Sequence, residues 1–138
     1  MIGVIVCTHS TLADGLKNAI DMIVGTQENF DVFCFMNGDD VDELREKLDR
    51  AVEKYEKKKM PCCILVDLFA ATPFNAALAI SMQKGVDVIT GVNLPLMMDI
   101  LLSRTMFEDG DIHAFLEHSL NSVKDSMKVY NGMKLGNE

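Results

Sequence analysis

A chain of 138 residues, 49% hydrophobic and 25% charged, has the length of one domain and enough apolar content for one core, so residues 1–138 are expected to form a single unit. The formal net charge of −8 argues against nucleic acid, since an acidic surface cannot replace the counterions of a phosphate backbone, and against an anionic membrane surface. The apolar runs are too short to span a bilayer, the first residues lack the basic region of a signal peptide, and the four cysteines contain no CxxC pair and so no metal pattern, which fits a reduced, cytoplasmic protein without direct membrane insertion.

The hydrophobic pattern alternates between short β-branched runs and helical spacing. Ile2 to Cys7 is the first run, and Val32–Phe35, Cys62–Val66 and Val86–Val92 are similar; each suits a strand buried on both faces of a parallel sheet. Between the first two, Leu12, Leu16, Ala19, Ile20 and Ile23 form one helical face, with Gly25 as its stop. Val41, Leu44, Leu48, Ala51, Val52 and Tyr55 form a second, preceded by Asp39 and Asp40 as N-cap candidates and closed by Lys57–Lys59.

Thr72-Pro73 opens a third helix, with Thr72 expected at the N-cap and Pro73 at the first helical position. Pro95 opens a short fourth helix toward Thr105, and Asp111 precedes a last one striped by Ile112, Phe115, Leu116, Leu120 and Val123. The order βαβαβαβα followed by a helical end predicts an α/β fold, a doubly wound, mainly parallel central sheet flanked by helices. The tail from Met127 to Glu138 reads either as a short extra strand or as a frayed end. The cysteines lie inside predicted strands, where thiols behave as small apolar groups, and the ten methionines read as core filler, with an adaptable docking surface as the alternative. His113 and His118 have no acidic partner close in sequence and read as exposed or packing residues.

In an open parallel sheet, ligands bind beyond the C-terminal strand ends. Two segments fall there: Thr8-His9-Ser10-Thr11 after the first strand and Asp67-Leu68-Phe69-Ala70-Ala71-Thr72-Pro73 after the third. Taken singly, His9 is readable as a surface histidine, Asp67 as a turn residue and Thr72 as a cap. In the usual strand order the two strands are neighbours, which would bring imidazole and carboxylate together. A neutral imidazole nitrogen is a competent nucleophile toward phosphorus when a carboxylate fixes the proton on the other nitrogen. Asp67 is the candidate for that carboxylate. Helix N-terminal amides and the hydroxyls of Ser10, Thr11 and Thr72 are candidates for holding phosphoryl oxygens.

Three segments carry a resemblance: Ile5-Val6-Cys7-Thr8-His9-Ser10, Leu65 to Ala77, and Thr90-Gly91-Val92-Asn93-Leu94-Pro95-Leu96. In this order and spacing they resemble the IIA component of the mannose-family sugar phosphotransferase system, over essentially the whole chain. The resemblance implies that His9 accepts a phosphoryl group from the phosphocarrier protein HPr and passes it to the IIB component, that Asp67 supports the ring, and that the Thr72 hydroxyl binds phosphate. It implies a cytoplasmic homodimer whose C-terminal strand is exchanged, antiparallel, between subunits, an association with membrane IIC and IID components, and no metal or organic cofactor. One departure is that the family's usual Gly-Gly-Ser stands here as Ala70-Ala71-Thr72, which is expected to alter the loop because alanine resists positive φ. Other readings are a phosphoryl-donor subunit of a dihydroxyacetone kinase and a phosphorylation-dependent regulatory module. A receiver-like domain phosphorylated on Asp67 would need an acidic pair after the first strand, where Thr8-His9-Ser10 stands.

Overall fold

The computed structural model describes residues 1–134. Along the chain run β1 (Gly3–His9), α1 (Leu12–Val24), β2 (Phe30–Phe35), α2 (Val41–Lys57), β3 (Cys62–Val66), α3 (Thr72–Lys84), β4 (Asp87–Ile89), α4 (Leu94–Ser103) and α5 (Ile112–Val123), with single 3₁₀ turns at Arg104–Met106 and Lys124–Ser126. The four strands form one sheet in the order β2-β1-β3-β4, and every pairing is parallel. The α/β architecture expected from the alternating pattern is therefore present, with β1 and β3 adjacent in the middle.

Strand alternation divides the core into two layers. Val4 and Val6 of β1 join Cys63 and Leu65 of β3 on one face, under α1, α4 and α5. Ile5 and Cys7 join Ile64 and Val66 on the other, under α2 and α3. Burying both faces of the central strands is what their continuous apolar runs require. The four cysteines are free thiols; burial pushes Cys7 up to about 12, with Asp67 and Cys34 adding to the rise, and burial does the same at Cys62. These thiols are apolar packing groups rather than nucleophiles.

Several boundaries differ from the sequence reading. β2 begins two residues early, at Phe30, whose side chain is buried against the core. β4 shrinks to three residues, because beyond Ile89 the chain turns at Thr90-Gly91 and Val92 N–H bonds to Val66 O at the end of β3. Asp40 caps α2, accepting from Asp42 N–H. Gly3 has no room for a Cβ, which would stand 2.7 Å from the Tyr55 ring; Tyr55 in turn donates its hydroxyl to Asp31 at 2.5 Å.

Arg104 is the largest fully buried side chain. Its guanidinium donates to Ile2 O at 3.0 Å, to Asn29 O at 2.8 Å and to Glu28 O, tying the turn after α4 to the starts of β1 and β2. No helix among the described residues is long and apolar enough to cross a membrane. The described part of the tail, residues 127–134, forms no strand, and its Met127, Val129, Tyr130 and Met133 are exposed; residues 135–138 lie outside the described part.

His113 does have acidic partners, contrary to the sequence reading. Its Nδ1 lies 2.6 Å from Asp87 on β4, and its Nε2 lies 3.2 Å from Glu117 one turn further along α5. The β4 partner is 26 residues away, invisible to a local reading. The hydrogen bond to Asp87, then the charges of Asp87 and Glu117, raise the His113 pKa above its ordinary value. A raised folded-state pKa contributes stability below the unfolded value and loses it as pH rises through the folded one. His113→Gln should therefore lower the melting temperature at about pH 6 and lose that effect toward about pH 9, as thermal melts across this range would read; a pH-independent difference would rule out the ion pair as the cause.

Candidate functional site

β1 and β3 run in parallel register with Cys7 beside Val66, so His9 at the end of β1 and Asp67 just past β3 emerge together at the C-terminal edge. One carboxylate oxygen, Asp67 Oδ2, accepts from the His9 backbone N–H at 3.0 Å and lies 2.9 Å from His9 Nδ1. A carboxylate only accepts, so Nδ1 carries the ring proton and Nε2 presents its lone pair. The His9 side chain is 44% exposed and that of Asp67 only 14%. Much of the ring thus meets solvent, while the carboxylate that holds it is sheltered. Asp67 Oδ1 is buried and has no hydrogen-bond partner among the described residues, and no lysine or arginine among them pairs with this carboxylate. Its negative charge is left to respond to a positive charge appearing on the imidazole.

The hydroxyl candidates fall on the same edge. Ser10 and Thr11 are exposed in the turn after β1. Thr11 occupies the N-cap position of α1 but makes no side-chain cap bond. Thr72 is corrected from N-cap to first helical residue: Ala71 is the cap of α3, with extended backbone and no side-chain bond, and Pro73 follows in the first turn. The shift has a simple cause. Proline is well placed within the first turn and not only at its first position, so the helix begins one residue earlier than the Thr-Pro signature suggested. The Thr72 hydroxyl is thereby released from capping.

Both loops around His9 hold a non-glycine residue in the left-handed region, Ser10 at φ 51° and Ala70 at φ 61°. Ser10 is fixed there by its N–H, which donates to Phe35 O at 2.7 Å. Ala70 makes the turn that leads from Asp67 into α3, although its Cβ costs about 1 kcal/mol in that conformation. The alanine in place of glycine therefore does not prevent a left-handed turn.

The surroundings of His9 are open and apolar. Leu12, Met36, Leu68 and Phe69 are exposed, Phe69 at 70%, and the Phe69 ring leans on Phe74 of α3 with centroids 5.0 Å apart. A shallow recess beside the histidine is lined by Ser10, Phe35, Met36, Asn37 and Gly38. Exposed apolar side chains gathered on one edge are a common feature of interaction surfaces. Among the described residues no group of three or more His, Cys, Asp or Glu is placed to hold a metal ion.

Two features here escaped the sequence reading. Ala70 carries no residue-type signal for a left-handed turn. Thr8 is fully buried, and its signal was available: it continues the inward alternation of Val4 and Val6, a polar group where the strand pattern calls for an apolar one.

The model of the family described as EIIA-man, PTS system fructose IIA component, matches residues 3–120. The chain is similar to the fructose-specific EIIA component of Bacillus subtilis, 32% identical over 125 residues, covering 90% of this chain and 80% of the relative. It is 34% identical to the mannose-specific EIIAB component of Escherichia coli over 104 residues, 75% of this chain but 32% of that protein. Among solved structures, the phosphotransferase system component EIIA from Streptococcus agalactiae superposes with a TM-score of 0.84 at 29% identity, covering 94% of this chain and 97% of that one.

The left-handed turn gives a direct test of the loop. Ala70→Gly is expected to leave stability unchanged or raise it by up to about 1 kcal/mol, and Ala70→Val to lower it by about 1–2 kcal/mol, because a β-branched side chain fits positive φ worse than alanine does. Urea unfolding midpoints of the three proteins check this.

Proposed function

This chain belongs to the EIIA-man family, the fructose IIA components of the sugar phosphotransferase system, and from that premise we propose that it is a phosphoryl relay working through His9. The observation that carries the reading is the half-exposed imidazole whose Nδ1–H is held by Asp67 at 2.9 Å.

In this mechanism the donor is phosphorylated HPr. His9 Nε2 attacks the phosphorus in line with the bond to the donor; the new N–P bond forms as the old one breaks, and the donor leaves with that electron pair. The ring becomes a cation, and Asp67 stabilises it through the bond it already makes. The free hydroxyl of Thr72 and the amides opening α3 supply donors to the phosphoryl oxygens, with Ser10 and Thr11 across the turn. The IIB component then takes the phosphoryl group from Nε2 by the reverse geometry. A half-exposed histidine on an edge whose flanking segments expose Leu12, Met36, Leu68 and Phe69 favours protein partners over a small-molecule substrate, which would call for an enclosing pocket. The same surface serves donor and acceptor in turn, since there is one histidine for both. The relay operates in the cytoplasm, beside the membrane IIC and IID components.

Incubation with phosphoenolpyruvate, Enzyme I and HPr should label His9 with an acid-labile phosphoryl group. His9→Ala should abolish the label, and Asp67→Ala should slow its uptake by about 10²–10⁴-fold with the fold intact. Label retained in His9→Ala would move the acceptor elsewhere; an unchanged rate in Asp67→Ala would remove that residue from the mechanism.

We also propose a homodimer in which the tail of each subunit adds as an antiparallel strand to the other. The support is the unpaired outer edge of β4 together with the exposed Met127, Val129, Tyr130 and Met133: an open strand edge offers pairing to a segment outside any sheet, and docking there would cover these apolar side chains. Grooves along that edge are lined by Val88, Ile89, Leu120, Val123 and Met127. The full chain should sediment as a dimer and a chain ending at Ser126 as a monomer; a dimer that survives the truncation would assign the interface to another surface.

A further inference from the structure

The turn that follows His9 is closed by a contact from the strand itself. Only Ser10 and Thr11 separate His9, at the end of β1, from α1, and the N-cap residue Thr11 contributes no side-chain bond. The N–H of Ala13 in the first helical turn is instead taken by Thr8 Oγ1, at 2.7 Å and five residues back in the chain. Both residues are fully buried. A helix N-terminus leaves its first amides without intrahelical partners, and a buried one must find an acceptor. Here the acceptor comes from the last inward-facing position of β1, immediately before the histidine.

This contact completes a set of three around His9. On one side Thr8 ties the strand end to α1. At His9 itself the backbone N–H is held by Asp67. On the other side Ser10 N–H is held by Phe35 O, with Ser10 in a left-handed conformation. Three consecutive residues are thus pinned to three different elements: α1, the β3–α3 loop and β2. His9 is the last residue of β1, opposite Phe35 of β2, and a strand end that passes straight into a two-residue turn is held less firmly than the strand interior. With the residues before and after it fixed, the Nδ1–Asp67 bond sets the direction of Nε2 as well as its tautomer.

We propose that Thr8 is a positioning residue for phosphoryl transfer: its buried hydroxyl fixes the His9 turn so that Nε2 is aimed for in-line attack. Thr8 touches no reacting atom. Its effect passes through His9, so the proposal rests on His9 being the phosphoryl acceptor. Threonine is suited to this place. The methyl group fills the apolar layer that Val4 and Val6 begin, and the hydroxyl supplies the acceptor that valine would lack.

Thr8→Val keeps the shape and removes the acceptor; Thr8→Ser keeps the acceptor and removes the methyl. Phosphorylation by phospho-HPr should be about 10- to 100-fold slower in Thr8→Val, in keeping with the cost of small misplacements of a reacting group, with the same final extent of labelling. Thr8→Ser should run near the wild-type rate. A second readout is the ¹⁵N resonances of the His9 ring. In Thr8→Val they should move from a single Nδ1–H tautomer toward a mixture, and Thr8→Ser should restore them. A packing role alone would give the opposite ranking, with the serine variant the more affected. Wild-type rate or unchanged ring resonances in folded Thr8→Val would overturn the proposal. Should that variant fail to fold, Thr8→Ala, which adds no bulk beside the stranded amide, takes its place under the same two readouts. Wild-type protein that takes up no label would overturn the relay reading and this inference with it; label on His9 with Thr8→Val unaffected would overturn this inference alone.

Discussion

One carboxylate oxygen organises the site. Asp67 Oδ2 receives both the backbone N–H and the ring Nδ1 of His9, so a single acceptor fixes where the histidine sits and which nitrogen it offers. That geometry depends on β1 and β3 being parallel neighbours in the register that sets Cys7 beside Val66. A one-residue slip would send alternate side chains to the wrong face. The register is defended by burial: the residues from Ile2 to Thr8 and from Cys62 to Val66 are all buried, so any slip would break two core layers at once. The precision of a surface-exposed imidazole is thereby anchored in the most deeply buried part of the molecule.

The loops pass this rigidity outward. Ser10 and Ala70 both hold left-handed backbone without being glycine, a conformation that persists only where neighbouring structure holds it in place. Phe35 O supplies that for Ser10. For Ala70 the anchors lie on either side: Asp67 is held by its bonds to His9, and Pro73 is buried at the start of α3. The outcome is an open platform whose reactive ring is fixed, while Leu68 and Phe69 stand exposed beside it. The proposed relay between proteins needs this combination, because each partner must reach the ring and each must find it in the same place.

The opposite end of the sheet has another task. Arg104 reaches back from the turn after α4 to the backbone carbonyls of Ile2, Glu28 and Asn29, satisfying acceptors where β1 and β2 begin. It is a buried cation whose job is done through hydrogen bonds to carbonyls rather than through an ion pair, since among the described residues no carboxylate pairs with it. Chemistry at one strand end and backbone anchoring at the other is the division expected of a parallel sheet, whose ligand-binding loops gather at the C-terminal edge.

Much of this was written into the residue pattern. Strands buried on both faces declare themselves as unbroken apolar runs, which is why the α/β order could be read directly, and the usual strand order of such a sheet made β1 and β3 neighbours. His9 and Asp67 followed, because residues just past neighbouring parallel strands must meet. Local signals failed where the deciding partner was distant or carried no residue-type mark. The true end of β4 depends on Val92 bonding to Val66; the ion pair of His113 depends on Asp87 across the β4–α5 gap; the start of α3 at Thr72 depends on how the loop from Asp67 arrives. The chain by itself thus determined which histidine and which carboxylate come together, since periodicity and strand order are properties of the sequence. Only the tertiary structure decided how they are held: that one oxygen serves both histidine donors, that Ala70 takes a turn suited to glycine, and that the Thr8 hydroxyl closes the turn from beneath. Each of these is a hydrogen bond or a dihedral set by packing between elements, and no spacing of residue types encodes it.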